Sequence, residues 1–314
     1  MSKIEMVVGV SKVRVGLDKF VLGIPYPKLP QSDEQNPPSQ NDVIDIEETK
    51  KVFHAKLKHI GNMIKETGNH HVSNTKNKDL KRYHVLSEDD GSLICVFALG
   101  FTYGTGIINL EINPSKMTTD KWGELHALLA VSFDGHYLEL YEHSVVSHAE
   151  FFVDVHGEDL SKLVLIDEGR RATTLHKGTT YHGRRTSRLV ATMYDKAKEQ
   201  KQDGQLVRVE VRLNRRDKLF CNIVEHDLFN PFGTLLVVDV NQMQSISAEW
   251  QNPQLANQIN EWGLYEAVKN KHARKKILAG LKEVVVPWWE PDLFWASHKK
   301  LLLQFKPGHA GGFA

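Results

Sequence analysis

The strongest constraint in this chain is the strict alternation of the segment LVRVEVRLNRR. Val207, Val209, Val211 and Leu213 fall at every second position, with Arg208, Glu210 and Arg212 between them. Period-two alternation places successive side chains on opposite faces of an extended strand, so one apolar face must be covered by a core while the charged face stays open. Two other segments read the same way. In RLVATMYDK, Val190, Thr192, Tyr194 and Lys196 share one side, and Ala191, Met193 and Asp195 the other. In SHAEFFVDVHG, a strand over 149–155 directs Glu150, Phe152 and Asp154 together, with His156 continuing that face.

Further strands are expected at Val7–Val10, Val13–Leu17, Phe20–Ile24, Tyr83–Leu86, Ser92–Leu99, Gly106–Ile112, His136–Tyr141, Thr179–Tyr181 and Leu235–Val240. Helical periodicity marks Val43–Glu66 and Thr119–Val131. It recurs through much of Pro253–Lys282, where Leu255, Ile259, Trp262, Tyr265 and Val268 form the packing stripe. A helix or ordered loop is expected over Glu158–Ile166, and His70–Arg82 reads as irregular. The implied fold class is α+β: a largely antiparallel sheet with packed helices, possible descent from two diverged α/β halves, and a C-terminal helical addition. The expected organisation is a region 1–240, interrupted by a proline-rich loop at 25–42, and a mainly helical extension 241–314.

Composition narrows the function. With 314 residues, 41% hydrophobic and 25% charged, the chain can bury substantial cores. Two cysteines without a CxxC pair argue against a zinc finger and suit reduced thiols. The N-terminus lacks the apolar run of a signal peptide and nothing reads as a membrane span, so a cytoplasmic setting is the expectation. The formal charge is only +1, yet residues 170–218 hold fourteen Lys and Arg against five Asp and Glu, an excess of nine. The remainder therefore sums to −8, and a molecule so polarised can offer one face to a polyanion.

The basic region also carries candidates for chemistry. The Tyr194 hydroxyl can attack phosphorus and retain a DNA end as an ester, provided Lys196, an arginine or a metal compensates the growing charge. Glu150, Asp154 and Glu210, with His156, offer hard ligands for Mg2+ or Mn2+. Arg208 and Arg212 can clamp phosphates. The loop LHKGTTYHGRRTSR adds Lys177, Arg184, Arg185 and Arg188 for DNA phosphates and Tyr181 for base stacking. Each feature has a plain structural counterpart: a solvated strand face, surface ion pairs, a tyrosine packed beside a lysine.

The order TTYHGRRTSRLVATMYDKAKEQ followed by VRVEVRL resembles the replication initiators with which plasmids and filamentous phages start rolling-circle replication. The family's Tyr–x–Gly–Ser–Arg-like turn is matched by Tyr181–Gly183 with Arg184 and Arg185. Its Tyr–Asp–Lys strand end is matched by Tyr194–Lys196, its following glutamate by Glu199, and its Arg–x–Glu strand by Arg208 and Glu210. Upstream, INLEINPSKM and AEFFVDVHG are similar to its Asn–Pro–Ser–Lys and acidic-strand segments; the paired-histidine motif of many rolling-circle enzymes is absent. The resemblance implies a metal-dependent nick at single-stranded or hairpin origin DNA, a 5′-phosphotyrosine on Tyr194 (Tyr181 second), and host helicase and polymerase as partners. It leaves open a conjugative relaxase, a non-catalytic origin-binding control protein, and a nuclease that cleaves with water. The basic run KNKHARKK in the C-terminal helices is compatible with duplex contact.

Overall fold

The structure is a computed structural model that describes residues 3–25, 55, 58–62, 66, 70–74, 81–87, 89–102, 105–132, 142–169, 173–184, 186–214, 219–225, 229–249 and 252–306. The expected loop at 25–42 (after Pro25), the strand His136–Tyr141, Arg185 and most of the helix Val43–Glu66 lie outside these residues; 58–62 are helical.

Strands β1 (Lys3–Val8), β2 (Ser11–Pro25), β3 (His70–Asn74), β4 (Lys81–Leu86), β5 (Leu93–Thr102) and β6 (Thr105–Ile112) are followed by helix α1 (Thr119–Ser132). Next come β7 (Val145–His156), β8 (Leu163–Asp167), β9 (Thr173–His176), β10 (Thr179–His182) and β11 (Leu189–Asp195). The short helix α2 (Lys196–Glu199), β12 (Leu206–Leu213), α3 (Phe220–Glu225) and β13 (Leu235–Asp239) complete the sheets. The remaining helices are α4 (Val240–Glu249), α5 (Leu255–Trp262), α6 (Leu264–Ala267), α7 (Lys271–Glu283) and α8 (Pro291–Leu302). The fold is α+β with a large antiparallel sheet and a C-terminal helical segment, as the alternation predicts. Among the described residues, no helix is long and apolar enough to cross a membrane.

The large sheet runs β3-β4-β5-β6-β2-β7-β12-β11-β10-β9, with β1 pairing β2. Each half is a long strand (β2 or β7) beside a four-stranded meander whose last strand returns to it, and the halves meet at the antiparallel β2–β7 pair. The apolar face of β12 is sealed: Val207, Val209, Val211 and Leu213 are at most 1% exposed. Phe20, Phe151, Trp122, Leu125, Phe294 and Phe305 join them in one core.

Several local expectations are corrected. Val7–Val10 is not one strand: β1 ends at Val8, and Gly9, at φ +61°, turns the chain into β2. Val13–Leu17 and Phe20–Ile24 belong to a single strand, because Asp18 is the extra residue of a bulge: Leu17 pairs Phe151 and Lys19 pairs Glu150. Within His70–Arg82, His70–Asn74 is the edge strand β3. Glu158–Ile166 ends in a strand, since β8 and β13 form a small separate sheet. Leu163 and Leu165 face the main core, whereas Val164 and Ile166 face a second core with Met243, Ile259, Ile277 and Leu281. A strand buried on both faces shows no alternation, which is why its period misleads. Trp262, expected to pack, is 51% exposed.

Helix α8 is pinned beneath the centre of the sheet by His298, which is fully buried. Its Nε2–H is shared between the carbonyls of Gly16 (3.0 Å) and Phe152 (3.1 Å), a register pair beside the bulge. Phe232 stacks on the ring and Phe151 meets it edge-on. Burial pushes the imidazole down to about 4 from an ordinary 6.5. The unfolded chain therefore binds the proton more readily, so this stabilisation is complete above pH 6.5 and is lost as pH falls toward 4. Urea denaturation across that window should show the wild type losing about 3 kcal/mol more than a His298→Gln variant.

Candidate active site

The polar face of β11, β12, β7 and β2 is organised in cross-strand rows, because directly opposed residues in an antiparallel sheet share a face. One row runs Tyr194–Arg208–Asp154–Arg14, the next Tyr181–Thr192–Glu210–Phe152–Gly16, and the third Val190–Arg212–Glu150–Lys19. Tyr181, Tyr194, Glu210, Arg212, Glu150 and Asp154 thus lie on one side of one sheet.

The first row is a buried ionic cluster. Arg208 is 3% exposed and holds both oxygens of Asp154 with Nε and Nη2, the latter at 2.8 Å, while its Nη1 donates to Asp18. Arg14 adds a second guanidinium on Asp154 at 2.6 Å. The Arg208 guanidinium lies 3.8 Å above the Phe152 ring. That ring in turn lies across Gly16, where a Cβ would come within 2.3 Å of Phe152 Cζ. Each nitrogen of the Arg208 guanidinium thus donates to Asp154 or Asp18, and the side chain is buried. Asp154 is likewise enclosed by two arginines.

The second and third rows are half-open. The Tyr194 hydroxyl donates to Glu210 Oε2 at 3.2 Å. Burial, then the charge of Glu210, hold the phenol above its ordinary value near 10. Glu210 is itself raised, first by burial and then by the charge of Glu150, against the pull of Arg212 and Arg208. Arg212 bridges the two glutamates, with Nε 2.9 Å from Glu150 Oε1 and Nη2 3.4 Å from Glu210 Oε1. Burial opposes ionisation of Glu150, but the hydrogen bond from His148 and the charge of Arg212 outweigh it and hold its pKa below the ordinary range. Lys196, the first residue of α2, pairs with Glu199 and sits 5.6 Å from the centre of the Tyr194 ring.

A cavity of about 1220 Å3 opens over this end of the sheet, lined by Tyr181, Thr192, Tyr194, Glu210 and Arg212. Lys177, Arg184 and Lys198 also line it, as do Asp159, Asp195 and Glu199. Lys177 stands at the tip of the β9–β10 hairpin in the left-handed region, φ +50°, and Arg184 is exposed in the loop after β10. Arg188 is exposed in the same loop and does not line the cavity.

The expected metal ligands do not converge. Glu150 and Asp154 stand four residues apart on β7, roughly 13 Å along a strand, and each is engaged by arginine. Glu210 faces the row between them and His156 continues beyond Asp154. Among the described residues, no group of three or more His, Cys, Asp or Glu could hold an ion. This arrangement does not fit one Mg2+ or Mn2+.

Arg14 and Asp18 escaped the sequence reading because they lie more than 130 residues from their partners. His148 stands inside the quoted segment SHAEFFVDVHG, and extending its alternation by one step would have found it.

No protein-family model matches the chain, and no curated protein matches it. Among solved structures, a rolling circle replication initiator protein from Geobacillus stearothermophilus is distantly similar over 76% of this chain and 85% of that one, with 13% identity and a TM-score of 0.35.

The burial pattern separates structural from surface cations. Arg208→Met should destabilise the protein by about 3 kcal/mol, because Asp154 and Asp18 lose their buried counter-charge. Arg184→Ala should stay within about 0.5 kcal/mol. Urea denaturation of the two variants measures the contrast.

Proposed function

We propose that this protein cuts and rejoins single-stranded DNA through Tyr194, the reaction that opens an origin for rolling-circle replication. The observation that carries the reading is the hydrogen bond from the Tyr194 hydroxyl to Glu210 Oε2, inside a cavity that Lys177, Arg184 and Lys198 help to line. A nucleophile in contact with a base, with the base oriented by a third group, is the arrangement that activates weak nucleophiles. Here Arg212 orients the base through its other oxygen.

The raised phenol means that tyrosine rests as a neutral donor, so its proton leaves during attack rather than before it. Glu210, raised by burial and by Glu150, is a better proton acceptor than an exposed glutamate. As Tyr194 Oη bonds to phosphorus, its proton passes to Glu210 and the P–O3′ bond breaks. The departing O3′ takes a proton from the Lys196 ammonium, leaving a free 3′-hydroxyl and a 5′-phosphotyrosine. Reversal restores the original linkage, and because one phosphodiester is exchanged for another, no nucleotide cofactor is consumed. Lys177, Arg184 and Lys198 hold the flanking phosphates. The cavity admits an unpaired strand whose backbone can bend toward Tyr194.

Pools of labelled single-stranded oligonucleotides, incubated with the protein and resolved under denaturing conditions, test this directly. Wild type should give a covalent adduct whose peptide maps to Tyr194. Tyr194→Phe should abolish it, Tyr181→Phe should retain it, and Glu210→Gln should slow it by about 100-fold or more. Cleaved strands without attached protein would instead identify a water-using nuclease, and an adduct on Tyr181 would move the nucleophile one strand outward.

A further inference from the structure

We propose that His148 is a positioning residue of this centre, holding the Glu150–Arg212 pair so that Glu210 keeps its orientation toward Tyr194; the inference rests on the reading just given. His148 lies two residues before Glu150 on the same face of β7 and opposite Val21 of β2. Both ring nitrogens are engaged: Nδ1 lies 2.7 Å from Asn214 Oδ1 and Nε2 lies 3.0 Å from Glu150 Oε1. Asn214 is fixed in turn, because its Nδ2 donates to the Ser187 carbonyl at 3.0 Å and its backbone N–H to the Arg188 carbonyl at 2.8 Å. Its oxygen is therefore the end that faces the ring. The ring is thereby held between Asn214 and Glu150.

From this anchor a chain of hydrogen bonds reaches the nucleophile, with each carboxylate accepting from both sides. Glu150 Oε1 accepts from His148 and from Arg212 Nε; Arg212 Nη2 reaches Glu210 Oε1; Glu210 Oε2 accepts from Tyr194. The two oxygens of Glu210 are thus divided between its orienting arginine and the attacking hydroxyl. Arg212 is one-third exposed and bridges two carboxylates, so its position depends on how firmly each is held. Glu210 is backed by the packed Phe152 row. Among the described residues, side-chain hydrogen bonds to Glu150 come from His148 and Arg212, so removing His148 frees it to rotate and draw Arg212 away from Glu210. The result is a misaligned base with the DNA-binding cations intact, which slows chemistry and leaves affinity alone.

The test uses the full chain and one single-stranded oligonucleotide recovered by covalent capture from a random-sequence pool. His148→Phe keeps the ring volume and removes both ring contacts; it should lower the single-turnover adduct rate about tenfold to a hundredfold, with oligonucleotide Kd changed less than about twofold. His148→Gln restores a donor toward Glu150 and should recover most of the rate. In combination, His148→Phe with Glu150→Gln should be no slower than the slower single variant, because the histidine acts through the glutamate. A wild-type rate in His148→Phe, or multiplicative losses in the double variant, overturns the assignment while leaving Tyr194 in place. Absence of any wild-type adduct removes both readings. Should His148→Phe not fold, Asn214→Ala releases the other side of the ring and must slow the adduct step in the same way; an unchanged rate there is equally fatal.

Discussion

The buried contact between Arg208 and Asp154 is the interaction on which the rest of the polar face depends. Desolvating two charges is expensive, and the pair is tolerable here because every guanidinium nitrogen of Arg208 has an acceptor: Asp154 takes Arg208 twice and Arg14 as well, and Asp18 takes the remaining Arg208 nitrogen. The bulge at Asp18 makes this possible by adding a residue to β2, so that Asp18 reaches Arg208 while Lys19, not Asp18, stands opposite Glu150. Gly16 leaves room for the Phe152 ring, and the guanidinium closes over that ring. His298 holds the backbone of the same two residues from the core side. Clamped from both faces, β2 and β7 form a rigid floor for the row that contains Glu210.

Away from this cluster, charges alternate across the sheet. Arg82 pairs with Glu111 and Glu111 with Lys19; Lys19 stands opposite Glu150, which pairs with Arg212, and Arg212 reaches Glu210. Such a ladder nearly neutralises itself, so the middle of the sheet has little net attraction for a polyanion. Around the cavity Lys177, Arg184 and Lys198 alternate with Asp159, Asp195 and Glu199, while Tyr194 and Glu210 stay half-buried.

The two halves of the sheet make the same point. Glu111 on β6 occupies the position that Glu210 occupies on β12, each on the last strand of a meander beside a long central strand. Across from Glu111 stands Val96, and two residues on is Ala98, where the other half has Thr192 and Tyr194. The N-terminal half supplies framework and counter-ions; the hydroxyl is confined to the other.

What the amino-acid order determined by itself was local. Alternation in 206–213, 189–195 and 149–155 specified which residues share a face, since side-chain direction in a strand depends only on parity. It therefore brought Tyr194 and Lys196, Glu150 and Asp154, and Arg208, Glu210 and Arg212 into view together. It was silent for β8, whose two faces are both buried, and for β3 at the sheet edge. Only the tertiary structure decided what each charge does. Arg208 and Arg212 are indistinguishable in an alternating strand, yet one row of the sheet meets Asp18 and Asp154 under cover and the other opens to a cavity. That difference comes from partners more than fifty residues away in the chain, whose proximity is set by register and by a one-residue bulge, and no local pattern encodes it.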